Sequence, residues 1–153
     1  MKAFIDCEFN GMGGSLLSLA IVTEQGEEWY SEFPLPAKEP WDGWVKDNVK
    51  PLLHTPQFLS GDRGGSRQLV VADAQRSLEH WLAQFDTIHV IADWPDDIRH
   101  FCDFLITGPG ERIDTPPLTM EIRRDIDSSQ SRLPHHALHD ARAIHDAYKA
   151  KTS

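Results

Sequence analysis

The stretch AFIDCEF, residues 3–9, is apolar apart from two carboxylates. Side chains two apart on a strand point the same way, so Asp6 and Glu8 share one face with Phe4. The apolar residues between them fill the other face, which is typical of a strand covered on both sides within an α/β sheet. Two acids at such a place repel each other and resist desolvation unless a cation or a proton compensates them.

The composition indicates an ordinary globular protein. The chain has 153 residues, 40% of them apolar and 25% charged, so we expect a single domain over residues 1–153. No run of eighteen apolar residues occurs, and neither a membrane-spanning helix nor a signal peptide is expected. Cys7 and Cys102, the two cysteines, are expected to be buried thiols in a reducing compartment, for which the cytoplasm is favoured.

The net charge of −9 argues against a general nucleic-acid coat, whose affinity would come from lysine and arginine on phosphates. It leaves a nuclease open, because bound divalent metals would reverse the sign of the potential inside a carboxylate-lined cleft. The charge therefore excludes one class of nucleic-acid-binding protein without excluding a nucleic acid as substrate.

The pattern of apolar residues predicts an α/β fold with a mixed central sheet. Runs at 3–9, 15–23 and 28–33 are joined by short turns and predict an antiparallel three-stranded meander. A helix over 71–85 then precedes a buried strand at 87–92, and such a crossover pairs that strand in parallel with an inner strand. Helices are expected on both faces of this sheet.

The remaining segments are predicted as helices and loops. A short helix over Trp41–Leu52 carries tryptophans for which we favour core packing over base stacking. His54–Arg67 is predicted to be a surface loop, whose Arg63 and Arg67 are more simply solvated than bound to phosphate. The later predictions are a helix from Pro95 to Leu105, a short strand near Ile113, a helical turn near Met120, a polar loop at 127–132 and a last helix through Lys149.

Further acids fall at positions where a helix should face the sheet. Asp140 lies on the inward stripe of the last helix, whereas Asp146 lies off it and should be solvated. On the preceding helix Asp97 lies at the edge of the buried stripe and ranks first as a partner of the Asp6–Glu8 pair. Asp93, which alternatively caps the helix, ranks second, and Asp96, on a polar face, ranks third.

Carboxylates on one strand and two helices fit a divalent-metal site. Magnesium and manganese take oxygen ligands and keep several waters. Two such ions about 3.5–4 Å apart can activate a water and stabilise the leaving oxygen in phosphodiester hydrolysis. Any one of these acids alone is more simply a cap or a surface charge, but the set is harder to explain in that way.

Three stretches resemble the exonuclease motifs of the DEDDh superfamily of 3′-to-5′ exonucleases. They are FIDCEF from Phe4, ADWPDDIRHF from Ala92 and PHHALHDA from Pro134. The superfamily has an RNase H-like fold and includes RNase T, oligoribonuclease and proofreading domains. The chain is most similar to the small, stand-alone mycobacterial-type 3′-to-5′ exoribonuclease family, and the three motifs span nearly all of it.

The resemblance implies roles for individual residues. Asp6, Glu8, Asp97 and Asp140 would hold two magnesium or manganese ions, and His135 would act as the general base. Helical spacing alone places His136, not His135, four residues before Asp140. The motif nevertheless favours His135, with His136 and His139 as partly exposed bystanders. An alternative pairs His135 with His139 in a zinc site, although a third nitrogen or sulfur ligand is not evident.

The resemblance also implies the substrate. Nucleoside 5′-monophosphates would be released from the 3′ end of single-stranded RNA or of an RNA 3′ overhang, with DNA as a less favoured substrate. Cys7, Phe9, Met12 and Trp94 would contact the terminal nucleotides, the aromatic ones by stacking. Related small exonucleases tend to be homodimers, and the sequence leaves the oligomeric state open. Two other hypotheses are a haloacid dehalogenase-like phosphatase and a catalytically silent RNase H-like interaction module.

Overall fold

A five-stranded mixed sheet carries the acidic strand at its centre. The computed structural model describes residues 1–54 and 65–152. The strands are β1 (Lys2–Phe9), β2 (Leu16–Thr23), β3 (Glu28–Glu32), β4 (Ile88–Ala92), β5 (Ile106–Gly108), β6 (Glu111–Arg112) and β7 (Leu118–Ile122). The helices are α1 (Gly43–Asn48), α2 (Gly65–Leu82), α3 (Pro95–Leu105) and α4 (Ala137–Thr152), with a 3-10 turn at Lys50–Leu52.

The order of the main sheet is β3-β2-β1-β4-β7, and β5 pairs with β6 in a separate hairpin. β1 pairs antiparallel with β2, and β2 antiparallel with β3. β4 pairs in parallel with β1, and β7 in parallel with β4. The predicted meander and the predicted parallel strand beside an inner strand are therefore confirmed.

The two faces of the sheet are covered by different helices. Ile5 and its neighbours on one face of β1 pack with buried residues of α2 and α3 in the largest apolar cluster. Phe4, on the other face, packs with Ile144 of α4, and Ala20 of β2 packs with Ala141 of the same helix. This confirms the α/β fold with helices on both faces, and it places Asp6 and Glu8 on the side of α4.

The prediction of a helical turn near Met120 is wrong, because Met120 lies in the strand β7. Met120 pairs with Val90 of β4 and is 36% exposed. The strand has little apolar alternation of its own, with mostly exposed or half-buried residues. Its conformation is set by hydrogen bonding to β4, a long-range interaction that local periodicity does not report.

The predicted loop at His54–Arg67 is wrong at its end, because α2 begins at Gly65. Arg67 lies in that helix, and its guanidinium donates to the backbone oxygens of Pro34 and Leu16 rather than being solvated. Arg63 lies outside the described residues. No helix in the described parts of the chain combines the length and the apolar character needed to cross a membrane.

The predicted helix over Trp41–Leu52 is present as α1 followed by the 3-10 turn. Val45 and Val49 are buried under it, and Trp41 packs against the same cluster. The prediction of core packing is wrong for Trp44, which is 54% exposed. Trp44 precedes the buried Val45 on the short helix and therefore faces away from the core.

Candidate metal centre and cleft

The carboxyl ends of the parallel strands β1 and β4 bring the acids together. β4 pairs with β1 only as far as Phe4, so Asp6 and Glu8 lie beyond the end of β4, where Asp93 follows. Asp140 approaches the same point from the first turn of α4, and Asp97 from the first turn of α3. Four separate elements thus supply carboxylates to one place.

The carboxylates form two overlapping groups. Ligand atoms of Asp6, Asp93 and Asp97 lie within 4.8 Å of one another, as do those of Asp6, Glu8 and Asp140. Asp6 belongs to both groups. Oxygen atoms at these separations can surround hard divalent cations, and an aspartate shared by two groups allows two ions to be held side by side.

Asp97 is fixed by the backbone of β1. It is 4% exposed, and its Oδ1 accepts a hydrogen bond from the amide of Cys7 at 3.0 Å. That amide has no partner in β4, because β4 ends its pairing at Phe4. The hydrogen bond therefore connects the unpaired part of β1 to α3. It holds the carboxylate of Asp97 close to Asp6 and Glu8.

The two rivals of Asp97 have different surroundings. Asp93 lies in an acidic group with Asp97, and the cap of α3 is Trp94, without a side-chain hydrogen bond. The interpretation of Asp93 as a helix cap is therefore wrong. Asp96 accepts a hydrogen bond from the Trp94 indole at 2.9 Å and forms an ion pair with Arg99, and it belongs to neither acidic group.

Two buried carboxylate oxygens have no hydrogen-bond partner among the described residues, namely Asp6 Oδ2 and Asp140 Oδ1. Leaving such atoms unpaired is costly. The other oxygen of Asp140, Oδ2, accepts the backbone amide of His135 at 2.9 Å. The unpaired oxygens belong to acids of the same group and fit direct contact with a cation, so the residues present fit a divalent-metal site.

Burial raises the pKa of every acid in the cluster. For Glu8 and Asp97 the pKa rises to about 8, first because of burial and then through repulsion from neighbouring carboxylates. The pKa of Asp6 is raised well above its usual range by burial and by the four acids around it. The pKa values of Asp93 and Asp140 are also raised, with burial again the largest cause. A bound cation would oppose these shifts.

His135 lies in the loop before α4 with a φ of 67°, and its exposed side chain lines the cleft beside the acids. His136, predicted to be partly exposed, is buried at 8% exposure and stacks on Tyr30 at 5.2 Å. No histidine belongs to an acidic group among residues 1–54 and 65–152. Because His135 precedes the helix, the i, i+4 argument for a zinc pair with His139 does not apply.

The acids form the floor of an open cleft with a volume of about 470 Å³. Its walls include all four residues predicted to contact substrate, which are Cys7, Phe9, Met12 and Trp94. Met12 and Trp94 are exposed, Phe9 stacks on His100 at 4.5 Å, and Cys7 is buried. At 6% exposure, Cys7 offers little surface for the contact with substrate that was predicted for it.

Asp42 and Trp44 are among the residues of the cleft wall that sequence reasoning missed. Asp42 caps α1 by accepting the amide of Val45 at 3.0 Å. An aspartate followed by a helical apolar pattern indicates such a cap, but nothing in the local pattern indicates that α1 lies over the end of β1.

No protein-family model matches the chain, and no curated protein matches its sequence. The inference of function therefore depends on the site itself and on the resemblance of its motifs.

Proposed function

We propose that the protein is a divalent-metal-dependent 3′-to-5′ exonuclease that removes nucleotides from the 3′ end of single-stranded RNA. The observation that carries the proposal is the position of Asp6 in two overlapping groups of carboxylates. A single structural cation would need only one of these two groups of carboxylates. Two groups that share an aspartate are the arrangement expected for hydrolysis of a phosphodiester assisted by two ions.

The topology supports the same proposal. A three-stranded antiparallel meander followed by two parallel strands, in the order β3-β2-β1-β4-β7, is the arrangement expected of an RNase H-like fold. In that fold the acids would lie at the end of the first strand, where Asp6 and Glu8 are found. The fold alone does not define an activity, so the proposal depends on the residues of the site.

Each residue has a defined task in the proposed reaction. Asp6, Glu8, Asp97 and Asp140 would hold two magnesium or manganese ions, with Asp93 as a further ligand. Bound ions of this kind supply charge stabilisation at the phosphate and lower the pKa of the attacking water. His135 accepts a proton at the imidazole from that water, because its side chain lies in the cleft beside the acids.

The walls of the cleft suit a nucleotide at the end of a single strand. Phe9, Met12 and Trp94 present apolar surface above the acids, and stacking on such surfaces is how single strands are commonly held. Products would leave as nucleoside 5′-monophosphates. RNA is preferred to DNA in this proposal because of the resemblance, and the cytoplasm is the proposed location.

No observation favours the two other hypotheses. A haloacid dehalogenase-like phosphatase would have an aspartate where Glu8 stands, and a covalent aspartyl-phosphate trapped by mass spectrometry would support it. A silent interaction module would have no use for buried acids, which destabilise the fold when unpaired. A titration that showed no uptake of magnesium or manganese would support the module.

The experiment is digestion of a single-stranded RNA labelled at its 5′ end, with magnesium or manganese and with a chelator. We expect a ladder that shortens from the 3′ end and disappears with the chelator. His135→Ala and Asp6→Asn should each lower the rate by about 10²-fold or more, since they remove the base and the shared ligand. Products should be identified as 5′-monophosphates by chromatography.

Two matched substitutions serve as controls. Asp146→Asn removes an exposed acid from the same helix as Asp140, and His80→Ala removes an exposed histidine from α2. Both should keep the wild-type rate. A ladder that survives His135→Ala or Asp6→Asn would refute the assigned roles, and no shortening of RNA or DNA with either metal would refute the activity.

A further inference from the structure

The imidazole of His135 is held on one side by an aromatic ring. The backbone of His135 is fixed by its amide hydrogen bond to Asp140, but this contact leaves rotation about the side-chain bonds free. The imidazole meets the indole of Trp44 with ring centroids 4.8 Å apart and an interplanar angle of 87°. Edge-to-face pairs of this kind are a preferred aromatic geometry.

Trp44 is not needed to pack α1 on the sheet. Val45 and Val49 fill the apolar cluster beneath this segment together with Leu17. Trp44 remains 54% exposed and lines the cleft. A large indole that is left in solvent beside a reactive side chain therefore has a role that core packing does not explain.

A buried polar side chain fixes the helix of Trp44 to the strand of the acids. Asn10, 7% exposed, directly follows β1. Its Oδ1 accepts the amide of Asp42, the cap of α1, at 2.8 Å, and its Nδ2 donates to the Pro40 oxygen at 2.8 Å. The same Nδ2 donates to Glu39, which also accepts the amide of Ser15, the residue before β2.

We propose that Trp44 is a positioning residue that holds the imidazole of His135 over the acidic cluster, with Asn10 anchoring the helix that carries Trp44. The inference rests on the proposed function, because His135 needs a defined orientation only if it accepts a proton there. A general base must lie within hydrogen-bond reach of its proton donor. An exposed side chain otherwise exchanges between rotamers on the nanosecond timescale, and the indole removes part of that freedom.

The first test is the rate of Trp44→Ala in single-turnover digestion of single-stranded RNA. Loss of the aromatic contact should lower the rate constant by roughly 3- to 10-fold, the range expected for an edge-to-face pair, with little change in the RNA concentration at half-maximal rate. Trp44→Phe keeps an aromatic ring at this position and should recover most of the lost rate.

The decisive test repeats Trp44→Ala in a His135→Ala background. If Trp44 acts through His135, the second substitution should have no further effect on the residual rate. Trp94→Ala is the matched control, because Trp94 also lines the cleft at 47% exposure but its ring contacts Arg124. Trp94→Ala should change the rate constant by the same factor in the wild-type and the His135→Ala backgrounds. An equal loss from Trp44→Ala in both backgrounds would overturn the proposal and indicate direct contact with RNA.

A second measurement does not depend on activity. The imidazole proton signals of His135, assigned by their loss in His135→Ala, should shift in Trp44→Ala as the ring current of the indole disappears. Unchanged signals would overturn the positioning role. A wild-type protein that digests no nucleic acid would refute the proposed function instead, while the nuclear magnetic resonance result would still decide whether Trp44 restrains His135.

Discussion

Asp96 and Asp97 are adjacent in sequence but differ in burial and in hydrogen-bond partners. Asp97 is 4% exposed and bound to the amide of Cys7, whereas Asp96 is paired with Arg99 at the surface. Helical spacing favours Asp97 as the partner of Asp6 and Glu8, because Asp97 falls near the buried stripe of its helix. The period could not show that Asp93, at the end of β4, also lies within reach of Asp6.

We expect Asp97→Asn to weaken binding of Mn²⁺ by tenfold or more, a loss comparable with the effects of altering metal-site residues. The substitution removes a charged ligand but keeps an oxygen that can accept the Cys7 amide, so the fold should survive. Isothermal titration calorimetry gives the affinity. Asp96→Asn is the control. Its affinity for Mn²⁺ should stay within about twofold of the wild-type affinity, because the Asp96 carboxylate already has Arg99 as a partner. Equal losses in the two variants would contradict the placement of Asp97.

The turn between β1 and β2 links the acidic strand to the helix over the cleft. Asn10 forms the link through its side chain, and its own amide donates to Ser15 at 2.9 Å across the turn. Gly14 closes this turn so tightly that a Cβ there would lie 1.9 Å from the Asn10 oxygen. Gly13, next to it, has a φ of +76° but open space around the missing Cβ.

Gly14→Ala should therefore destabilise the protein by more than Gly13→Ala. The clash at residue 14 is with backbone and forces the turn to shift, at a cost of about 1–3 kcal/mol or more. The alanine at residue 13 meets only the unfavourable left-handed conformation, which costs about 1–2 kcal/mol. Urea unfolding followed by circular dichroism measures both. A Gly14→Ala variant as stable as Gly13→Ala would show that the turn is looser than described.

The chain as a whole carries a net charge of −9, and part of it is concentrated at the floor of one cleft. Without a cation, burial and mutual repulsion raise the pKa of Glu8 and of Asp97 to about 8. In the unfolded chain these groups have their ordinary values of 4.5 and 3.8. Between the unfolded and the folded pKa values the folded state therefore binds more protons than the unfolded state. The free energy of unfolding consequently falls as the pH rises through this range.

The metal-free protein should consequently lose stability between pH 6.5 and pH 8. The fall should be about 2–4 kcal/mol, given about 1.4 kcal/mol per pH unit for each of the two groups that stay protonated only in the folded state. The window starts at pH 6.5 because burial lowers the pKa of His100 and of His136. Below pH 6.5 the unfolded state protonates these histidines more readily than the folded state, so their contribution makes stability rise with pH. Thermal unfolding with a chelator gives the Tm at each pH.

Added Mg²⁺ should raise the Tm, and by more at pH 8 than at pH 6.5, because binding displaces protons from the acids. Asp97→Asn should flatten the pH dependence of the metal-free protein, since one of the titrating groups is gone. A Tm that rises with pH in the absence of metal would contradict the linkage described above.

Local pattern predicted those parts of the fold that have their own apolar period. The meander, the strand β4 and the inward position of Asp140 follow from alternation and helical spacing, and all three are present. The environments of Met120 and Trp44 do not follow from local pattern. Met120 is extended because β4 pairs with it, and Trp44 is exposed because α1 packs on Leu17 of β2 through Val45 instead. Both depend on partners far away in the chain.

By itself the sequence determined that a buried strand would carry two acids, because burial and charge can be inferred from side chains and their spacing. The tertiary structure decided which acids meet, since the parallel pairing of β4 with β1 sets how far Asp93 and Asp97 lie from Asp6. It also decided that Trp44 faces His135. Distances between groups more than thirty residues apart are set by sheet register and helix docking. Both depend on long-range interactions, which no local pattern in the sequence encodes.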